Sequence, residues 1–327
     1  MKCILVISFV LLLSSCFTDD APLVELEVYR FENYLFTTDS ANIFERLKNW
    51  NDDVGHFSEV FDAQIMGRQQ MTDTAYAQEL LAFITHPDMR EAYDSVVIEF
   101  ADFSTIEQDL QNAFGQFSIC FPDYEIPSIT TFFGGFTYGV SSFENNVAIG
   151  LEHFLGEKSK FYNLLSHPEY LKFQKQKRFI VPNVMEVWCN RNFQHLVSGR
   201  DFLSQMIYKG KVMYFINTIL PNTLDADKFR FTDEQMQWVI ENEATIWTYF
   251  IEQDLLFSYQ EKDYRSLLNY SPFAKGMPQD APARVAYYIG YKMIEQYMNT
   301  HDITVEELMF LTDSKQLLQE SKYKPTR

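Results

Sequence analysis

The stretch "FIVPNVMEVWCNRNF", Phe179 to Phe193, has a single acid, Glu186, among mostly apolar residues. Its apolar residues recur at the spacing of an α-helix about four turns long. Viewed down that helix, one stripe is polar and the opposite side is mostly apolar. The stripe consists of Asn183, Glu186, Asn190 and Gln194. We therefore predict an amphipathic helix that carries a single acid, Glu186, near its middle.

The residues around Glu186 have the spacing of the His-Glu-x-x-His helix of zinc metallopeptidases. In that helix two histidines hold the metal and the glutamate polarises the attacking water. Here Met185 and Cys189 stand at the two histidine positions. A thioether and a thiol could form a soft site for Cu(I), but such a pair on an amphipathic helix is more typical of a core. We expect both residues to pack in the core.

The segment "FLSQMIYKGKVMYFINTILP", residues 202–221, predicts a second helix that bears on the same question. In peptidases whose third zinc ligand is a glutamate, that acid lies on such a following helix, often beside a Gly-Lys pair. This chain has the pair at Gly210 and Lys211, but Lys209 occupies the place of the acid. A cation there would oppose a bound metal ion. We therefore predict no metal, no cofactor and no catalytic residue, and interpret Glu186 as the relic of an active site in a pseudo-enzyme.

A metal-dependent, peptidase-like hydrolase remains the alternative. Glu186 would then work with a metal held by ligands from elsewhere, such as His195, Glu152 or His153. None of the six histidines forms a His-x-x-x-His pair, so one helix cannot supply a zinc site in the usual form. The sequence also lacks a Gly-x-Ser-x-Gly nucleophile motif, a phosphate loop and a dinucleotide fingerprint.

The N-terminus resembles that of a bacterial lipoprotein. Met1 and Lys2 precede an apolar run too short to span a bilayer comfortably, and small residues then lead to Cys16. This lipobox-like pattern implies that residues 1–15 are a signal peptide and that Cys16 is acylated, with palmitate as one of the acyl chains. Residues 16–24 would form the lipidated tether. We therefore predict a lipid-anchored protein of the cell envelope, in the outer membrane on its periplasmic face or at the cell surface.

Composition narrows the range of partners. Lys and Arg number 27 against 45 Asp and Glu, a formal net charge of −18, so phosphate backbones would repel the chain and we predict no nucleic-acid binding. Apart from Cys3 in the signal peptide and Cys16, the cysteines are Cys120 and Cys189. In an oxidising compartment these two could pair, and we favour two buried, unpaired thiols.

The pattern of apolar residues indicates an α+β fold. Residues 24–32, "VELEVYRFE", alternate as a half-buried strand does, and residues 126–135 and 145–156 contain two more strand-like blocks. Most of residues 40–120 and nearly everything from Ser166 onward has helical periodicity. The sequence therefore predicts a mostly helical protein, with a small mixed sheet in the first half and a helical C-terminal half.

Helix starts are marked by specific residues in the C-terminal half. Ser166 to Glu169 and Thr304 to Glu307 each have the sequence of a capping box. Thr232 is a good N-cap for a helix that we predict to run from Asp233 to Phe257, the longest in the protein.

Several segments together resemble one family, the gliding motility-associated lipoprotein GldB. They are "VAIGLEHFLGEKSKFY" (147–162), "RDFLSQMIYKGKVMYFINTILPNTLDADKFRFTDEQMQWVIENEATIWTYFIEQDLLFS" (200–258), "APARVAYYIGYKMIEQYM" (281–298) and "SKYKP" (321–325). The resemblance implies an envelope lipoprotein that the gliding machinery requires, coupled to type IX secretion. The length of the chain fits a single globular domain over 25–327, with two lobes at about 25–165 and 166–327 as the alternative. The resemblance supplies no known catalytic residue.

A weaker resemblance, to a degenerate zinc-peptidase-like (zincin-like) scaffold, rests on the helix pair at 182–194 and 202–220 and on the helix around Gly290 and Tyr291. On this basis we predict a groove lined by Glu186, Tyr208, Lys209 and Tyr291. The predicted function is that of a non-catalytic component or assembly factor whose partners are other envelope proteins of the gliding and secretion machinery. A cell-wall-binding lipoprotein is a further alternative, supported by the many aromatic residues.

Overall fold

The computed structural model describes residues 22–38, 42–68 and 74–325. The predicted signal peptide, the lipidation site Cys16 and most of the tether lie outside these ranges. Within them, no helix combines the length and the apolar character needed to cross a membrane.

A small mixed sheet lies in the first half of the chain. Its order is β1-β2-β4-β3, with β1, β2 and β4 parallel and β3 antiparallel to β4. The strands are β1 (Val28–Arg30), β2 (Ser128–Phe132), β3 (Val140–Phe143) and β4 (Asn146–Gly150). The central strands β2 and β4 are buried along most of their length because other elements cover both faces, whereas the edge strand β3 is half-buried.

Helices make up most of the remaining structure. They are α1 (Phe31–Phe36), α2 (Ile43–Val54), α3 (Phe57–Gln64), α4 (Thr74–Thr85), α5 (Pro87–Glu99), α6 (Ser104–Cys120), α7 (Lys160–Leu164), α8 (Glu169–Lys172), α9 (Ile180–Phe193), α10 (Phe202–Ile219), α11 (Asp225–Phe229), α12 (Asp233–Glu241), α13 (Glu243–Glu252), α14 (Glu261–Leu268), α15 (Val285–Met298), α16 (Val305–Phe310) and α17 (Ser314–Ser321). Short 3₁₀ segments cover Leu151–Phe154, Lys177–Phe179 and Gln194–Leu196. The predicted α+β class, mostly helical with an early sheet, is confirmed.

Two details of the sequence prediction are confirmed and a third is wrong. Thr232 and Thr304 both cap their helices in complete capping boxes. Ser166 does not start a helix. It adopts φ 55° directly after α7, where its N–H donates to Asn163 and the N–H of His167 donates to Tyr162. These two bonds form a Schellman motif, so Ser166 ends one helix instead of capping the next.

The predicted helix from Asp233 to Phe257 is interrupted at Asn242, which separates α12 from α13. The Asn242 side chain donates from Nδ2 to the carbonyl of Trp238 at 2.9 Å. Such a local bond from an asparagine competes with the regular helix, and Asn242 accordingly lies outside it with φ −108° and ψ 14°. The strand predicted at 24–32 is also shorter than expected, with pairing limited to β1.

Helix α10 is the centre of the C-terminal half. Asp201 caps it by accepting from the N–H of Ser204 at 3.1 Å, and its buried residues lie on all sides of the helix. A helix that is apolar all round is typical of a protein interior. It packs against α9, α15 and α17, while α9 also packs against β3 and β4. A single cluster of buried side chains accordingly extends from Leu26 to Tyr323.

The crossing of α10 and α15 is unusually close because glycines face each other there. A Cβ atom on Gly290 would lie 2.3 Å from the carbonyl oxygen of Met206, and one on Gly210 would lie 2.3 Å from the backbone of Gly290. Real Cβ atoms do not approach backbone atoms to this distance. The two helices therefore require glycine at both positions to pack as they do.

We expect Gly290→Ala to lower the free energy of unfolding by about 2 kcal/mol, since the methyl group would push the helices apart. This loss exceeds the gain of about 1 kcal/mol that alanine brings in a helix. The matched control is Gly139→Ala, whose added Cβ would have its nearest neighbour at an ordinary 3.7 Å. Urea denaturation measures both variants, and a more stable Gly290→Ala protein would contradict the account of the crossing.

Candidate functional site

Glu186 lies in an ion cluster at the junction of α9, α10 and α11. Its side chain is 12% exposed. Oε2 of Glu186 contacts Nη2 of Arg230, and Oε1 lies 3.7 Å from Nζ of Lys209. Glu186 is thus paired with two cations, Arg230 and Lys209.

Arg230 is held in an uncommon backbone conformation. It follows α11 with φ 57° and ψ 44°, the left-handed region that usually selects glycine. Its N–H donates to Asp227 and the N–H of Phe231 donates to Ala226, so Arg230 has the same place in a Schellman motif as Ser166. An arginine at such a position costs about 1–2 kcal/mol of backbone strain. That strain is offset by the contacts of its buried guanidinium.

The polar stripe of α9 supplies those contacts. Nη1 of Arg230 donates to Oδ1 of Asn183, one turn before Glu186. Further along the stripe, Oδ1 of Asn190 accepts a hydrogen bond from the hydroxyl of Tyr208 at 2.9 Å. The polar stripe predicted from the sequence therefore bonds to side chains of α10 and of the segment that follows α11.

A second buried arginine, Arg284, also belongs to the cluster. It precedes α15 with φ 65°, and its Nη1 donates to the carbonyl of Phe229 at 2.9 Å. Its guanidinium carbon lies 4.1 Å from the ring centroid of Tyr287 and 4.4 Å from that of Tyr270. Such cation–π contacts stabilise a charge that is removed from water.

Tyr287 lies among three cations. Burial alone would raise the pKa of its phenol, but Arg284, Lys209 and Arg230 outweigh burial and lower that pKa to about 8. Nζ of Lys209 lies 5.4 Å from the Tyr287 ring, beside the crossing of α10 and α15. The cluster therefore has three cationic side chains around one carboxylate and has a positive local potential inside an acidic protein.

The groove predicted from the sequence comprises Glu186, Tyr208, Lys209 and Tyr291. Lys209 contacts Glu186, and its Nζ lies 5.8 Å from the ring of Tyr208. Tyr208 itself is buried, so it does not line an open groove. Tyr291 donates to Glu295 at 2.8 Å and packs against Phe229. The tyrosine of α15 that faces Lys209 is Tyr287, one turn earlier.

The two metal-ligand positions of the zinc-helix pattern are occupied by core residues. Met185 and Cys189 are completely buried, and burial raises the pKa of the Cys189 thiol. A buried thiol with a raised pKa remains protonated and is a poor metal ligand or nucleophile. Cys120 and Cys189 are both free cysteines, as predicted, but Cys120 is half-buried and not buried as expected.

The residues that the enzyme hypothesis names as metal ligands, His195, Glu152 and His153, lie in different surroundings. His195 is exposed in the 3₁₀ segment after α9. Glu152 is buried and accepts from the N–H groups of Gly134 and Phe136, and burial raises its pKa to about 7. Nδ1 of His153 lies 2.5 Å from Nζ of Lys175, a cation that discourages metal binding. Across the described parts of the chain, no group of three or more His, Cys, Asp or Glu side chains is placed to hold a metal ion.

Arg230, Arg284 and Tyr287 are the residues of this site that sequence reasoning missed. Arg230 stands between two phenylalanines in "KFRF", and Arg284 precedes the apolar run "VAYYIGY". A lone arginine in an apolar surrounding is a signal of a buried charge, since such a residue requires partners. The identity of the partners, however, depends on the tertiary packing.

We predict opposite effects for the same substitution at the two Schellman positions. Ser166→Gly relieves backbone strain and should raise the free energy of unfolding by up to about 1 kcal/mol. Arg230→Gly relieves similar strain but leaves Glu186 without its main partner, and should lower that free energy by about 2–3 kcal/mol. Urea denaturation tests both, and a stabilising Arg230→Gly would contradict the structural role of the ion pair.

The lowered pKa of Tyr287 can be observed directly. Ultraviolet difference absorbance of tyrosinate should reveal one phenol that ionises near pH 8, absent in Tyr287→Phe and retained in Tyr291→Phe. Because the folded-state pKa lies below the ordinary value of about 10, this phenol should add stability as the pH rises from about 8 to 10. That contribution is lost as the pH falls through 8. An unchanged titration in Tyr287→Phe would refute the assignment.

Comparison with known protein families identifies a match over nearly the whole chain. The family described as "Gliding motility protein GldB" matches residues 18–325, nearly the whole chain. No curated protein matches the chain, and no solved structure does. The family description agrees with the resemblance found in the helices of the C-terminal half, which include α10 and α15 of the ion cluster. The chain belongs to the gliding motility protein GldB family.

Proposed function

We propose that this protein is a non-catalytic envelope lipoprotein that acts as a component or assembly factor of machinery linked to gliding motility and type IX secretion. Family membership supports a gliding-motility-associated lipoprotein of the envelope. The more specific parts of the proposal are the role in the machinery, the absence of catalysis and the outer-membrane location. Partners would be other envelope proteins bound by surfaces of the folded domain.

The observation that carries the non-catalytic proposal is the pairing of Glu186 with Arg230 and Lys209. A general base must reach its substrate or a bound water, and its carboxylate must be free to accept a proton. The carboxylate of Glu186 is instead occupied by a buried guanidinium, and its surroundings have an excess of positive charge. A divalent cation next to Glu186 would also meet Lys209 and Arg230, which repel it.

The zincin-like scaffold is part of the same proposal. It is supported by the antiparallel arrangement of β3 and β4 beside α9, and by the packing of α9 against α10. On this proposal, the helix pair of a metallopeptidase is retained while an ion cluster takes the place of the metal centre.

The hydrolase alternative would need Glu186 to act with a metal bound by His195, Glu152 or His153. Zinc content and peptide hydrolysis of the purified full-length protein separate the two proposals. We expect less than one zinc per ten molecules and no hydrolysis. Stoichiometric zinc that is lost together with hydrolysis in Glu186→Gln or His195→Ala would overturn the non-catalytic proposal.

A cell-wall-binding lipoprotein is the other alternative, since aromatic side chains such as Phe257 and Tyr259 are exposed. Sedimentation of the protein with isolated cell wall tests it. Binding that survives high salt and is reduced in Tyr259→Ser would favour this alternative.

The proposed anchor predicts a clear effect of Cys16→Ala. The variant should lose palmitate labelling and move from the membrane fraction to the soluble fraction of the envelope, because no acyl chain remains. Cys120→Ala is the matched control and should remain in the membrane fraction. Retention of Cys16→Ala in the membrane would contradict lipid anchoring at this residue.

Affinity capture of the lipidated protein from its own envelope tests the role in the machinery. We expect proteins of the gliding and secretion machinery to be enriched over capture with the Cys16→Ala variant. Recovery of abundant porins alone would remove the main support for the proposal.

A further inference from the structure

A cavity of about 110 Å³ lies next to the ion cluster, with both buried arginines in its wall. Arg230 and Arg284 are 4% and 2% exposed, whereas Tyr270 and Pro272 at its other side are exposed to solvent. The cavity therefore leads from the protein surface to two buried guanidinium groups. It is separate from the predicted groove, since Glu186, Lys209 and Tyr291 do not line it.

Among the residues that the structure describes, the wall of the cavity contains two cations and no carboxylate. Its other polar side chains are neutral and include Gln174, Gln235, Thr232 and Tyr270. Asp233 and Glu234 follow Thr232 in the chain but are exposed and do not line the cavity. Glu186 balances only part of the charge of Lys209, Arg230 and Arg284. The cavity is thus a positively charged recess in a protein of net charge −18.

Two buried polar atoms of the cavity residues lack partners among the described residues. Nε of Arg230 has none, although its Nη1 and Nη2 are bound to Asn183 and Glu186. Oε1 of Gln174 also has none, while Nε2 of the same amide donates to the carbonyl of Arg230 at 3.1 Å. Buried donors and acceptors are normally satisfied, so an unpaired cationic donor and an unpaired acceptor on two residues that line one cavity suit a ligand that bonds to both.

We propose that this cavity binds the C-terminal residue of a peptide, with the carboxylate at Arg230 and the amide N–H at Gln174. A carboxylate accepts from a guanidinium in a strong charge-assisted bond. The amide N–H of the same residue supplies the donor that Oε1 of Gln174 requires. The proposal concerns ligand binding and does not depend on the role proposed for the protein in gliding.

The size of the cavity fits a terminal group. A cavity needs about 10–15 Å³ of accessible volume to hold one water, so this cavity has room for several waters or one small residue. Pockets that enclose whole drug-sized ligands are typically about 300–1,000 Å³. The cavity can therefore hold one residue of a peptide, with the remainder of the peptide leaving past Tyr270.

Two other small ligands fit the chemistry less well. Inorganic phosphate has four oxygens to satisfy, whereas Nε of Arg230 is the unpaired buried donor among the described cavity residues, so most of the phosphate oxygens would lack a donor. A free amino acid has a donor, but its ammonium group would be repelled by Arg230 and Arg284. The neutral amide of a peptide C-terminus avoids both problems.

Isothermal titration calorimetry on the full-length protein in detergent tests the proposal with small probes. N-acetylglycine has both required groups, acetate lacks the N–H and N-acetylglycinamide lacks the carboxylate. We expect N-acetylglycine to bind at least about fivefold more tightly than acetate or glycine, as one added hydrogen bond provides. N-acetylglycinamide should give no measurable binding. Tighter binding of phosphate or glycine, equal binding of N-acetylglycinamide, or no binding of N-acetylglycine would each overturn the proposal.

A pair of glutamine variants locates the site while keeping every charged side chain of the ion cluster. Gln174→Met should weaken N-acetylglycine about fivefold and leave acetate unchanged. Gln176→Met is the matched control, because Gln176 also donates to a nearby carbonyl, that of Phe173 at 2.9 Å, but does not line the cavity. Thermal unfolding confirms that both variants are folded. Unchanged N-acetylglycine binding in Gln174→Met, or an equal loss in Gln176→Met, would contradict the assigned site.

Discussion

The close crossing of α10 and α15 at Gly210 and Gly290 is the constraint on which the rest of the C-terminal half depends. With no side chain at either position, the two backbones come into direct contact. This contact places Lys209 of α10 beside Tyr287 of α15, and Glu186 of α9 lies 3.7 Å from the same lysine. The polar stripe of α9 therefore faces cationic side chains that emerge near the crossing, and Glu186 becomes a partner for them.

Buried charge is the second consequence of this arrangement. Taking a guanidinium and a carboxylate out of water is expensive, and a pair of this kind is maintained only when both groups are well bonded. Arg230 has Glu186 and Asn183, while Arg284 has a backbone carbonyl and two tyrosine rings. Both arginines also hold left-handed backbone conformations. The site thus concentrates strain and charge, a combination typical of functional regions in proteins.

Much of the helical part of the fold could be predicted from the sequence, because helices with strong apolar periodicity or a good N-cap are determined locally. The helices α9 and α10 are predicted by their apolar periodicity, and the starts of α12 and α16 by the capping boxes at Thr232 and Thr304. The helix start predicted at Ser166 and the unbroken helix predicted across Asn242 are wrong, because serine and asparagine side chains suit more than one local structure. The conformation of the neighbouring backbone determines which structure forms. The cluster of Arg230, Arg284 and Tyr287 could not be predicted, since these residues are brought together by the crossing of distant helices. The cavity beside them is likewise a product of tertiary packing.

Glu186 holds three segments together through its charge. A double-mutant cycle between Glu186→Gln and Arg230→Met, measured by urea denaturation, tests this role most directly, since the cycle isolates the interaction of the two side chains. We expect a coupling free energy of about 2 kcal/mol or more. A coupling below about 0.5 kcal/mol, the value typical of independent sites, would contradict it.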